Sequence, residues 1–315
     1  LGWLAASILF VIMSFSSLNH PLLVAGSGIA LLVGLPLVSA PTSLLVCKAG
    51  NVAAFLVNVT AVSIPGRIDG QQDQSMRQGN LNPTPNESQS LVDDNNNILY
   101  SRERLRALVS PAGWAFSIWG PIYLGEAAFC AAQFVPSTGI ESTLPDIVMP
   151  FIAFNLFQSL WCASFRPSYN EGWKNYISVG MLAGTAYSLS MIQAVQATGW
   201  FIPMSMHCGW TTAATLVNWN GSLAMKSSDA TVISVGHASA VAATALGMGV
   251  TLSQVAPAYG LTVAWALAAV AQGTQRVNHN DSLIRAARVQ KMLCYAGSAV
   301  CFATSIYTWI LFFVV

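Results

Sequence analysis

SPAGWAFSIWGPIYLGEAAF, residues 110–129, decides how the rest of the chain is read. It packs Trp114, Trp119, Tyr123, Phe116 and Phe129 around a single carboxylate, Glu126. Ser110 and Pro111 are the expected N-cap and first helical residue, since a serine oxygen accepts an orphan N–H and proline has none to leave unpaired. The helix then runs to about Phe134, ahead of Pro136. Such a helix is long enough to cross ~30 Å of hydrocarbon. Glu126 then lies well below the lipid headgroups.

Outward from this stretch, the composition is that of a polytopic membrane protein. Of 315 residues, 54% are hydrophobic and only 8% charged, against about a quarter charged in soluble domains. No basic tract suits nucleic acid. Cys47, Cys130, Cys162, Cys208, Cys294 and Cys301 all fall in or beside apolar runs without metal-ligand spacing. They are read as small packing residues. The chain opens at Leu1 in an apolar run, which points to a processed organellar or exported protein, or to an incomplete N-terminus.

Ten apolar runs are candidate spans, at about 3–18, 22–39, 44–64, 112–134, 147–165, 175–197, 202–224, 231–252, 256–272 and 292–314. The expected fold is all-α, a transmembrane helical bundle. Its parts are an N-terminal hairpin (1–43), a five-helix core (44–224) and a three-helix extension (225–315). Within the core, residues 66–109 form a long polar loop, rich in Gly, Pro and Asn, which cannot bury enough surface to offset its ordering entropy. Its end, Ile98 to Leu108, reads as a short interfacial helix. Asn51 and Asn58, one heptad apart, are expected to bond across helices, and Gly180-x-x-x-Gly184 is a helix-packing signal.

Charge placement tests this map. If each span switches sides, Arg67, Arg77, Arg102, Arg104, Arg106, Arg166, Lys174, Lys226, Arg276, Arg285, Arg288 and Lys291 share the face of the 66–109 loop, twelve of thirteen basic residues. The positive-inside rule makes that face cytosol, stroma or matrix.

Few residues can carry chemistry. A carboxylate inside a bilayer by default faces the bundle interior, where it meets a ligand or a partner. Glu126 is therefore either functional, including ligation of a metal or tetrapyrrole, or a protonated carboxyl bonded to Gln158, Asn155 or Asn218. His207 sits near a helix start and His237 inside VGHASA, whose small residues leave room for a flat macrocycle. Trp200 and Trp309 fit an interfacial belt, whereas Trp119, Trp161 and Trp210 fall deeper, where their rings can stack on a planar ligand. No Ser/His/Asp set, nucleotide loop or metal-ligand pair is present, so no enzyme is expected.

Pro111, Trp114, Phe116, Trp119 and Tyr123, then Asn155, Gln158 and Trp161, then Trp210 with Asn218 and Asn220, resemble the TspO/translocator-protein family, the tryptophan-rich sensory proteins. The resemblance covers about residues 44–224. It implies a five-helix core, here with about five additional spans, and a tryptophan-rich pocket for porphyrins and other flat apolar ligands. The chain departs from the family at Pro111-Ala112, where two prolines are usual. Trp114 and Trp119 are five rather than six apart, and MSMHCGW replaces a proline-tyrosine pair.

Two functions are expected. One is a membrane binding or sensory protein whose pocket is lined by Trp114, Trp119, Tyr123, Glu126, Asn155, Gln158, Trp161, Trp210 and Asn218, holding a tetrapyrrole or other flat ligand. The other is a non-catalytic, pigment-bearing subunit of a larger photosynthetic membrane complex, in a plastid thylakoid rather than a mitochondrion. Its neighbours would meet 66–109 and the terminal helices, and His237, His207, Glu126 and Gln193 would be the candidate ligands of chlorophyll magnesium.

Overall fold

A computed structural model describes residues 20–34, 37, 39–41, 43–63, 104, 106–164, 169, 172–193, 199–274 and 280–314. Among the described residues there are nine α-helices and no strand: α1 Pro21–Gly34, α2 Leu44–Val62, α3 Trp119–Ala132, α4 Leu144–Ala163, α5 Ile177–Gln193, α6 Ile202–Ala224, α7 Asp229–Gln254, α8 Pro257–Gly273 and α9 Asp281–Val314. Each apolar run expected from residue 22 onward carries one of them. The run at 3–18 lies outside the described residues, as does most of the 66–109 loop. Four helices, α2, α4, α7 and α9, are long and apolar enough to cross a membrane on length and composition alone.

A helix apolar on all sides either sits in the middle of a bundle or faces lipid. Both cases occur here. In α4, 83% of the apolar window is buried, against 33% in α7 and 28% in α9, so α4 is the axis and α7 and α9 form a rim. Helix α4 packs on α2 and α5, α5 on α6, α6 on α8, and α7 and α8 on α9. Lipid offers no hydrophobic drive between helices, so close packing and interhelical hydrogen bonds must hold them. Asn51 Nδ2 donates to Gln133 Oε1 at 2.7 Å, and Asn58 Nδ2 to Asn155 Oδ1 at 3.0 Å, the cross-helix bonds expected of both asparagines. Only half of the Gly180/Gly184 signal is used. A Cβ on Gly184 would fall 2.6 Å from the Phe157 ring of α4, whereas one on Gly180 would meet nothing within 4 Å. None of the six cysteines forms a disulfide; five are buried and Cys162 is half-buried, as expected of packing residues.

The described end of the polar loop does not lie flat on the interface. Ala107, Leu108 and Val109 are buried, and Leu108 packs on Gly236 of α7. Arg106 anchors this strap: it ion-pairs with Asp229 in the first turn of α7 and donates to Ala224 O at 3.2 Å and Ser227 O at 3.0 Å, where α6 ends. A guanidinium suits the exposed carbonyls of a helix C-terminus. The strap then docks backbone to backbone on α8. Ala112 N–H donates to Ala269 O at 2.9 Å, and a Cβ on Gly273 would lie 1.7 Å from Ser110 O, so only glycine admits the chain there.

That docking overturns the expected cap. Ser110 makes no cap bond; a 3-10 turn over Gly113–Ile118 begins after Ala112, and the α-helix proper starts at Trp119. Helix α9 likewise begins eleven residues before the expected span, capped by Asn280, whose Oδ1 accepts from Leu283 N–H at 2.9 Å. At 1.5 Å per residue its 34 residues extend ~51 Å, beyond the ~30 Å hydrocarbon core. Its first turns, with Arg285, Arg288 and Lys291, therefore reach past the hydrocarbon core, still packed on the strap and α7 through buried Leu283, Ala286 and Ala287. This is the end that also holds Arg104, Arg106, Lys174 and Lys226, while Lys48 pairs with Glu141 at the other.

Candidate functional site

Three helices build one buried cluster. Trp119, Tyr123 and Glu126 lie four and then three residues apart on α3, hence on one face. Phe154 and Gln158 are likewise one turn apart on α4, and His207 and Trp210 on α6. Gly125 lets α6 approach, since a Cβ there would sit 2.3 Å from Pro203 Cγ. The close approach brings His207 onto Glu126.

Glu126, Gln158 and His207 are all 0% exposed. Glu126 Oε1 is 2.7 Å from His207 Nδ1, and His207 Nε2 is 2.5 Å from Gln158 Oε1. Gln158 Nε2 donates to Tyr123 OH at 2.9 Å. Four side chains from three helices thus form one string. Aromatic rings enclose it: Trp119 meets His207 edge-on at 5.3 Å and Trp210 at 6.0 Å, stacks on Tyr123 at 5.3 Å, and Phe154 closes the other side of His207 at 5.3 Å.

Two polar atoms are left over. Glu126 Oε2 and Trp119 Nε1 are buried and have no hydrogen-bond partner. One is an acceptor and the other a donor, and both belong to side chains touching His207. Buried polar atoms are nearly always satisfied, so such an exception calls for an explanation.

The residues expected to line a pocket separate into two groups. Trp119, Tyr123, Glu126, Gln158 and Trp210 come together, with Trp161 buried one turn beyond Gln158. Trp114 instead lies at the bundle end, its indole N–H donated to Gln272 and its ring edge-on to Trp265 at 4.5 Å. Asn155 serves the α2–α4 contact, and Asn218 bonds back to Ala214 O of its own helix.

The expected magnesium ligands also differ. Both ring nitrogens of His207 are engaged by Glu126 and Gln158, so the imidazole offers no lone pair to a metal. Gln193 Oε1 accepts from Ser205 at 3.2 Å. His237 is half-buried on α7, its Nδ1 2.8 Å from Gln290 Oε1. Gln290 Nε2 points to Cys294 Sγ at 3.6 Å, which leaves Gln290 Oε1 to accept from His237 Nδ1–H. Among the described residues no three His, Cys, Asp or Glu side chains gather as a metal site.

A tetrapyrrole coordinated at His207 does not fit this geometry. Nor do the rings leave a slot: a plane between two faces needs about 7 Å between them, and Trp119 and Trp210 stand at 83° to one another. The partnering of His207 with Glu126 is what the sequence does not announce. Its one signal is that His207 shares a helix face with Trp210, itself a pocket candidate.

Fold and site define a class: a multi-pass helical membrane protein with an aromatic, polar-centred cluster inside the bundle. A family model described as TSPO-like protein matches residues 88–307. The chain belongs to that TSPO-like family. The matched stretch runs from the polar loop through most of α9, and α1 and α2 precede it. Compared with curated proteins and with solved structures, the chain finds no match.

Proposed function

We propose that the protein is a membrane binding or sensory protein, rather than an enzyme, and that its ligand is flat and apolar with a hydrogen-bond donor and acceptor on one edge. The observation that carries this is the pair of unpartnered buried atoms, Glu126 Oε2 and Trp119 Nε1, at one aromatic cluster. A ligand N–H would meet the carboxyl and a ligand oxygen the indole, while Trp119, Trp210 and Tyr123 cover its faces after rearranging. Tetrapyrroles belong to this chemical class, bound by an edge and not through a metal at His207. The positive end of the bundle supports placing the 66–109 loop on the cytosolic, stromal or matrix face of an organellar membrane.

Full-length protein in mild detergent should quench its tryptophan fluorescence on addition of protoporphyrin IX. Trp119→Phe should weaken binding about tenfold, the loss of one hydrogen bond of about 1.4 kcal/mol. Absence of quenching, or equal affinity in the variant, overturns the reading.

A second reading is favoured by His237, whose Nδ1–H donates to Gln290 on a rim helix, so that the neutral ring has its lone pair on Nε2. It makes the protein a pigment-bearing subunit of a larger complex, as in a thylakoid, with neighbours on the polar loop and terminal helices. Co-migration with a large pigmented assembly, with pigment lost in His237→Leu, is its test. A colourless small particle refutes it.

A further inference from the structure

We propose that Glu126 and His207 form a proton-binding site, holding one proton more than their hydrogen bonds to Gln158 and Tyr123 require, and that a donor group arriving at Glu126 Oε2 expels it. Gln158 fixes the starting state. Its Nε2 donates to Tyr123, so its Oε1 faces His207 and must accept from His207 Nε2–H. With Nε2 protonated, the 2.7 Å contact between Nδ1 and Glu126 Oε1 also needs a hydrogen, because two bare acceptors would repel at that distance. Carboxylic acid with neutral imidazole, or carboxylate with imidazolium, describes the same content: one proton, net charge zero.

Losing that proton has a definite structural consequence. The hydrogen left on the ring must stay on Nδ1, donated to the Glu126 carboxylate, so the departing proton is the one on Nε2. Bare Nε2 then needs a donor. The Gln158 amide turns over, giving its N–H to His207 and accepting the Tyr123 O–H at Oε1, and the string reverses its hydrogen-bond direction from His207 to Tyr123. The site now carries one negative charge in a buried, membrane-embedded position, which is strongly disfavoured unless a cation or strong N–H donor meets it. Glu126 Oε2 is the atom without a partner to receive such a group.

No other charge on the surrounding helices takes over this role. Helix α3 adds the Tyr123 phenol and the Cys130 thiol, and α4 presents Gln158 and Phe154, which do not titrate. On α6 the Cys208 thiol turns away to Ala186 O. Among the described residues the one ion-pair partner of Glu126 is His207.

The proton site stands on the string alone, whereas its release by ligand rests on the proposed binding function. Two readouts keep them apart. In full-length protein labelled with 15N-histidine, the His207 signals, assigned by their loss in His207→Gln, should pass in one step from hydrogen on Nε2, with or without one on Nδ1, to hydrogen on Nδ1 only. A neutral ring with hydrogen fixed on Nε2 at every pH at which the protein stays folded overturns the proton site. In weakly buffered solution, protoporphyrin IX should release about one proton per molecule bound by the wild type and none with Glu126→Gln. Binding without proton release overturns the linkage. Absence of binding overturns the ligand reading, and the histidine spectra still decide the site.

Discussion

Replacing His207 by Leu tests whether the buried string acts as a unit. The change leaves two groups without their partner, Glu126 Oε1 and Gln158 Oε1, both on residues with 0% exposure. A buried polar group with its partner removed costs about 1–3 kcal/mol, so the single variant should lose about 2–6 kcal/mol. Glu126→Leu strands only His207 Nδ1, at about 1–3 kcal/mol. Independent sites would sum to about 3–9 kcal/mol. In the double variant Glu126→Leu/His207→Leu, however, only Gln158 Oε1 is stranded, and the loss should return to about 1–3 kcal/mol. The double variant is therefore expected to be more stable than His207→Leu alone. Values in the lower half of these ranges are expected, because helices separated in lipid still find polar partners. Reversible unfolding in mixed micelles, with denaturing detergent as titrant and helical ellipticity as signal, gives all four corners of the cycle. Losses that simply add in the double variant would refute a shared string and leave two unrelated buried side chains.

Further outcomes follow from the packing. Gly273→Ala places a Cβ 1.7 Å from Ser110 O and should prevent the strap from docking, seen as loss of monodisperse folded protein, whereas Gly249→Ala, with nothing within 4 Å, should be neutral or stabilising by about 0.5–1 kcal/mol. Arg106→Ala removes the bonds to Asp229, Ala224 O and Ser227 O and should free the strap. A cysteine in place of Leu108, fully buried in the native fold, should then react rapidly with maleimide, and slowly when Arg106 is retained. Of the native cysteines, half-buried Cys162 should be alkylated first by a membrane-permeant reagent in folded protein.

How far the sequence foretells this molecule depends on the range of the cause. Helix existence is local: apolar runs of bilayer length predict nine helices from residue 22 onward, and each is present. Cross-helix bonding by Asn51 and Asn58 is also legible, because an amide in lipid must find an amide or carbonyl. Which amide it finds is not, since that depends on the rotation of a second helix. The same limit explains Glu126. Gln158, Asn155 and Asn218 are reasonable partners by residue type, yet His207, 81 positions away, takes the bond because Gly125 lets α6 close on α3 at Pro203. Ser110 fails as a cap for a related reason: a favourable local motif is overridden where the backbone finds a carbonyl of α8, and Gly273 makes the room.

A buried orphan atom does not by itself mark a site in this bundle. Asn51 Oδ1 and Asn58 Oδ1 are also unpartnered, yet each belongs to an amide whose other end already ties two helices together. Such an atom is the remainder of a structural bond. Trp119 differs, because its one polar group is the orphan, and no part of its polarity contributes to the fold. Glu126 differs in chemistry: its unpartnered oxygen belongs to a carboxyl whose other oxygen is already engaged with His207 Nδ1, so a group meeting Oε2 would act on that bond as well. Structural amides make the helix register; Trp119 and Glu126 leave unused donor and acceptor capacity on two buried side chains that both touch His207. That difference is the ground on which the proposed binding centre is set apart from helix–helix glue.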